Sequence, residues 1–142
     1  MTRRNEIIQR LQRVPGIGLL TSTALVSSVG NAARFSTGRK LASWVGLTPR
    51  EHSSGSTRSL GRINKQGNTY LRTLLVHGGR SVLLSASRKK KKGESLTSLQ
   101  AWALELSARV GYNKATCAVA NKLARICWAV WVKESEYGTA TS

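Results

Sequence analysis

The sequence contains no aspartate. Its carboxylates are six glutamates, Glu6, Glu51, Glu94, Glu105, Glu134 and Glu136, scattered along 142 residues. A two-metal phosphoryl-transfer site needs clustered carboxylates to hold two cations close together. This chain could hardly build one alone. Other metal ligands are also scarce, with two histidines (His52, His77) and two cysteines. Cys117 and Cys127 fall in what reads as one helix, roughly 15 Å apart along its axis. That separation excludes a disulfide, and both are expected to be reduced core residues. No apolar run is long enough to span a bilayer, so no membrane partner is expected. Arg3 and Arg4 lead into an amphipathic stretch rather than the apolar segment of a secretion signal. The expected location is cytoplasmic.

What the chain has in abundance is positive charge. Lys and Arg number 23, giving a net charge of +17. Such an excess repels itself in a folded domain, and a polyanion relieves the repulsion. Nucleic acid is the leading polyanion, because each neutralised phosphate releases counterions. A membrane surface ranks below it, since no helix pairs a cationic face with a broad aromatic one. The 40% of hydrophobic residues suffices for one compact core or two very small ones.

The apolar pattern is helical throughout, with no alternating strand and no internal repeat. Ile7, Ile8 and Leu11 place a first helix within 4–13. Val14-Pro15-Gly16-Ile17-Gly18 is a tight turn. A second helix over 19–29 closes at Gly30, and a third over about 38–45 starts from Ser36 or Thr37 and closes at Gly46. Residues 47–67 are rich in Gly, Ser and cations and read as a long loop, of the kind that is either functional or disordered. Asn68 caps a fourth helix over 69–86, in which Gly78-Gly79 marks close packing or a bend. Arg88 to Gly93 reads as a solvated linker. Two further helices follow, over about 95–110 and 114–133. The fold class is all-α: a helix-hairpin-helix, a long polar loop and further helices. The divisions are a core over 1–87, a basic linker over 88–94, a helical hairpin over 95–134 and a disordered tail over 135–142.

Three constellations bear on chemistry. In the turn at 14–18, Gly16 and Gly18 let the backbone approach a phosphate, and the next helix presents free N–H groups and its positive dipole end. Arg10 and Arg13 add charge just upstream, and the contact would be to backbone rather than bases. In the polar loop, Ser53, Ser54 and Ser56 are surrounded by Arg50, Arg58, Arg62 and Lys65, with Arg72 in the next helix. A serine attacks phosphorus only if its proton is removed and the phosphate charge is offset. The cations could do the second, while His52 and Glu51 are both candidates for the first. Residue types alone indicate phosphate binding and do not make any of these serines a nucleophile. In the last helix, Lys114, Asn121 and Arg125 fall within roughly 40° of one another. That stripe is either a nucleic-acid contact or a solvated face. Trp44, Trp102, Trp128 and Trp131 lie on apolar stripes and are assigned to the core.

The ordered series Val14-Pro15-Gly16-Ile17-Gly18-Leu19-Leu20-Thr21, Arg34-Phe35, Arg39-Lys40-Leu41-Ala42, Gly46-Leu47-Thr48-Pro49-Arg50, Ser53-Ser54-Gly55 and Gly61-Arg62-Ile63-Asn64-Lys65-Gln66-Gly67-Asn68-Thr69-Tyr70-Leu71-Arg72 resembles a known family. So does the later stretch Asn113-Lys114-Ala115-Thr116 with Ala120-Asn121-Lys122-Leu123-Ala124-Arg125. The family is the C-terminal domain of DEDD-type insertion-sequence transposases, relatives of the Piv and MooV DNA invertases. The likeness runs from about residue 10 to 133. It implies DNA recombination by a nuclease-like N-terminal domain with four acidic residues, acting with a serine of the C-terminal domain that becomes covalently linked to DNA. It implies Mg²⁺ held by that acidic domain and no cofactor in this chain. It also implies a structured guide RNA and a homo-oligomer as partners, and a place on the nucleoid. The family's Ser-Gly pair falls on Ser54-Gly55, making Ser54 the expected nucleophile and Ser53 the alternative. Two departures stand out: the acidic half is absent, as in a truncated element, and Ser56 occupies the position of a further glycine. The other reading is a non-enzymatic nucleic-acid-binding module or an inactive remnant.

Overall fold

The computed structural model describes residues 3–47, 65–135 and 137–138, the stretch 65–68 as backbone only. The described residues form six α-helices and no strand. They are α1 (Arg3–Leu11), α2 (Leu19–Val29), α3 (Gly38–Val45), α4 (Lys65–Lys91), α5 (Ser98–Val110) and α6 (Tyr112–Lys133), with a 3-10 turn at Ala32–Arg34. The all-α expectation holds, and most boundaries lie where their caps put them. Thr37 accepts from the Lys40 N–H at 3.2 Å to start α3. Gly46 ends it in the left-handed region at φ 91°. Gly30, at φ 78°, ends α2. Thr97 and Gln100 form a reciprocal capping box at the head of α5, the arrangement that satisfies two otherwise unpaired N–H groups.

The fourth helix departs from expectation at both ends. It begins at Lys65 rather than Asn68 and continues through Arg88–Lys91, the run read as a linker. Lysine and arginine are good helix formers, and at a C-terminal turn they meet the negative end of the helix dipole. The break comes at Gly93, at φ 74°.

The long helices α4 and α6 form the central pair, and α5 packs on both. α1 and α2 pack on each other, α2 reaches α4, and α3 lies against α6 and α4. Leu71, Leu75, Val82 and Leu83 of α4 meet Ala115, Val119, Ala120, Leu123 and Cys127 of α6 in one buried cluster, which Leu11, Val14, Leu25, Leu41 and Val45 join. Gly78 and Gly79 let two other backbones close on α4. A Cβ at Gly79 would lie 2.6 Å from the Thr116 carbonyl oxygen of α6. One at Gly78 would lie 2.6 Å from the Gly16 carbonyl oxygen in the α1–α2 turn.

The tryptophans pack as expected: Trp131 is buried, and Trp44, Trp102 and Trp128 lie half-buried against the core. Trp128 also has a polar task. Its indole N–H donates to the carbonyls of Ala32 and Phe35 at 3.2 and 3.1 Å, pinning the 3-10 turn to α6. The cysteines differ from the expectation of two core residues. Cys127 is buried, but Cys117 is exposed. No described helix is long and apolar enough to cross a membrane.

Candidate nucleic-acid interface

The serine-bearing segment leaves the described structure after Leu47 and re-enters it at the head of α4. Ser54, its alternative Ser53, and Arg50, Arg58 and Arg62 lie outside the described residues, as do the candidate bases Glu51 and His52. Lys65 opens α4. The predicted site residues that are described can be placed around the point of departure.

Three of them meet there. Gly46 and Leu47 follow the last turn of α3, where the Gly46 N–H reaches Ala42 and Ser43 and the Leu47 N–H reaches Ala42. The Asn121 side-chain amide of α6 donates to the Leu47 carbonyl at 3.4 Å. Its own carbonyl oxygen accepts from Arg125 Nε at 2.9 Å. The guanidinium of Arg72, from α4, lies against the α-carbon of Gly46, where an added Cβ would be 2.6 Å from Nη1. Gly38, at the other end of α3, sits directly on the Arg125 backbone, with an added Cβ 3.1 Å from its α-carbon. Thus α3 is seated on α6 at both ends, with the Arg72 guanidinium at Gly46 and that of Arg125 held by Asn121, which clasps Leu47.

Local chemistry explains the seating. The final carbonyls of a helix carry partial negative charge, and a cation at the end of α3 answers it. Arg72 makes no side-chain hydrogen bond or ion pair among the described residues, although it is half-buried. The Nη donors of Arg125 are likewise untaken among them. Planar guanidiniums with open donors match a phosphate in bidentate fashion. The arrangement can therefore receive an anion at the root of the serine segment.

Lys114 does not join this cluster. It is exposed on the first turn of α6, roughly 16 Å along the axis from Arg125. The stripe predicted on α6 is thus not one continuous solvated face, because α3 partly covers its Asn121–Arg125 half.

The turn at 14–18 is a second locus. Gly16 has φ 83°, and the side where its Cβ would be is filled by α4 at Gly78. Packing and conformation together account for a glycine there. Gly18 faces open space. It precedes α2 without any side-chain cap on that helix, so the backbone near Gly18 is approachable as the sequence suggested. The two loci lie on different flanks of α4. Arg72 and Gly78 are six residues apart, roughly 9 Å along the axis and 120° around it. They could contact different phosphates but not the same one.

Sequence reasoning missed Gly46 as the seat of Arg72, and it missed Asn121 as the clasp on Leu47. The second contact joins positions 74 residues apart, and nothing local signals it.

Comparison with known proteins agrees with the resemblance at the level of the transposase family and the gene-inverting proteins. The family described as transposase IS116/IS110/IS902 matches residues 8–94. A probable family 20 transposase of Pseudomonas aeruginosa is 44% identical over 130 residues, covering 92% of this chain and 37% of its own length. The transposase for insertion sequence element IS1111A of Coxiella burnetii is 43% identical, covering 94% of this chain and 35% of its own. A pilin gene-inverting protein of Moraxella bovis is 38% identical over 66 residues, covering 46% of this chain and 20% of its own length. No solved structure matches. The chain spans little more than a third of the length of the transposases it matches. The chain belongs to the IS116/IS110/IS902 family of transposases.

Proposed function

We propose that the chain is the DNA-engaging domain of an insertion-sequence transposase and contributes Ser54 as the nucleophile of strand cleavage. The observation that carries the reading is the pair of arginines Arg72 and Arg125, at the root of the segment that holds Ser54, with guanidinium donors untaken among the described residues. In the proposed step the Ser54 Oγ forms a bond to a backbone phosphorus and loses its proton to a base, for which Glu51 and His52 are the candidates in this chain. The bond from phosphorus to a deoxyribose oxygen on the opposite side breaks, and that oxygen takes up a proton. The product is a phosphoserine ester, and reversal onto a second strand end completes the exchange. Arg72 and Arg125, with Arg50, Arg58, Arg62 and Lys65 from the segment, stabilise the charge that builds on the phosphate oxygens. The turn at Gly16 and Gly18 and the exposed Lys114 hold the same DNA at other phosphates without reading sequence.

The described residues do not fit a metal ion. No group of three His, Cys, Asp or Glu gathers among them, and Glu6, Glu94, Glu105 and Glu134 stand on separate elements. Mg²⁺ is accordingly assigned to a carboxylate-bearing domain outside this sequence, and no step here runs through it. A structured guide RNA that selects the DNA, and assembly as a homo-oligomer on the nucleoid, complete the proposal.

The test is recombination by the chain supplied with the acidic domain, guide RNA and Mg²⁺. Ser54→Ala is expected to abolish protein-linked DNA and recombination while leaving DNA affinity within about twofold. Loss of both with Ser53→Ala instead would move the nucleophile by one residue. Recombination that survives both substitutions would leave the chain a non-enzymatic binding module.

A further inference from the structure

The cations of α4 are only partly used by the site above. The helix runs 27 residues without a carboxylate. Its buried side carries Leu71, Leu75, Val82, Leu83 and Ala86. Its opposite side exposes His77, Arg80, Ser81, Leu84, Arg88 and Lys91. At 100° per residue these six occupy an arc of roughly 100°, and they extend about 21 Å along the axis. The side chains of His77, Arg80, Ser81, Arg88 and Lys91 make no hydrogen bond or ion pair among the described residues. A solvated helix face ordinarily alternates its charges and forms pairs one turn apart. This face carries charge of one sign and finds no answering group among the described residues. Thr73, on the same side nearer the head of the helix, donates its hydroxyl to the Thr69 carbonyl, so the donors begin beyond it.

Resting on the reading of the chain as a DNA-engaging transposase domain, we propose that this exposed face of α4 is a track for the phosphate backbone of duplex DNA. Arg80, Arg88 and Lys91 supply the charge and Ser81 a hydroxyl donor, the mixture that positions a duplex without reading its bases. Leu84, half exposed at 50%, gives the deoxyribose edge an apolar contact. The length corresponds to roughly six base-pair steps at 3.4 Å each. Duplex DNA is the polyanion that the proposed function supplies, and a face of one charge sign about 21 Å long complements it.

The experiment measures binding of the purified chain to a short duplex DNA, and to an RNA duplex of the same length, by fluorescence anisotropy across a salt series. Arg80→Glu, Arg88→Glu and Lys91→Glu are combined in one variant. Arg39→Glu, Lys40→Glu and Arg109→Glu, exposed cations on α3 and α5, make a control with the same change in net charge. Helicity and Tm check both, and alanine at the three track positions replaces glutamate if the first variant does not fold. The track variant is expected to lose at least about tenfold in DNA affinity, with a salt slope shallower by about 3, while the control loses about threefold or less. A track variant that binds DNA no worse than the control overturns the track and leaves the transposase reading standing. The same holds for a loss confined to the RNA duplex. Wild-type chain that binds no DNA at low salt overturns both.

Discussion

Arg72 illustrates how one side chain is placed by what another residue lacks. Its guanidinium rests where Gly46 has no Cβ, and the same glycine must be left-handed to end α3. Gly46→Ala therefore meets two costs, the backbone strain of a positive φ and displacement of Arg72. A loss of about 1–3 kcal/mol in stability is expected from the strain alone, read as a lower urea midpoint. Arg72→Lys keeps the charge but not the planar fork. It should leave Tm within a degree or two and reduce recombination at least tenfold; unchanged recombination would remove Arg72 from the phosphate site. The cysteines give a second check. Burial pushes the Cys127 thiol up from 9.0 to about 12, whereas Cys117 is exposed. A thiol reagent at neutral pH should modify Cys117 in the native chain and Cys127 only after denaturation. Because the folded state holds the Cys127 proton more tightly than the unfolded state, its contribution is complete below pH about 9. It declines as pH rises from about 9 to 12. Wild type should lose stability relative to Cys127→Ala across that window, and parallel curves would contradict the burial.

At Gly79 the backbones of α4 and α6 meet closely. A methyl group there would collide with the Thr116 carbonyl and crowd the Ala120 amide, both backbone atoms that cannot swing aside. Gly79→Ala improves helix propensity by about 1 kcal/mol, yet overpacking at a backbone contact costs about 1–3 kcal/mol. The net expectation is a lower Tm, and a rise would mean the helices stand farther apart. Trp128→Phe removes the indole donor from two carbonyls and should cost about 1–3 kcal/mol, measured by chemical denaturation. Much of this scaffold was legible in the sequence. Gly30, Thr37 and Gly46 bound their helices because caps are local chemistry, and close packing was one of two readings that Gly78-Gly79 offered. The extent of α4 was not legible. The Gly67 that reads as a loop residue lies within its first turn, and the lysine run that reads as solvated is also good helix. Neither the Asn121 clasp nor the Gly16–Gly78 contact could be read, since each depends on where distant elements land. The resemblance supplied what residue types could not, the choice of Ser54 among three nearby serines.

At the scale of the whole molecule the governing fact is a charge of +17 on a single helical core. Arg3 pairs with Glu134, and both partners are exposed; such a pair contributes little. The remaining cations repel one another, so added salt should stabilise the free chain while it weakens the complex. That opposition separates phosphate gripping from a merely soluble basic surface. The most direct measurement is the salt dependence of binding between the purified chain and a short duplex DNA. The account predicts tight binding at low ionic strength and a steep linear fall of log affinity with log salt, losing at least about a hundredfold between 50 and 200 mM. No binding at low ionic strength, or affinity indifferent to salt, would contradict it.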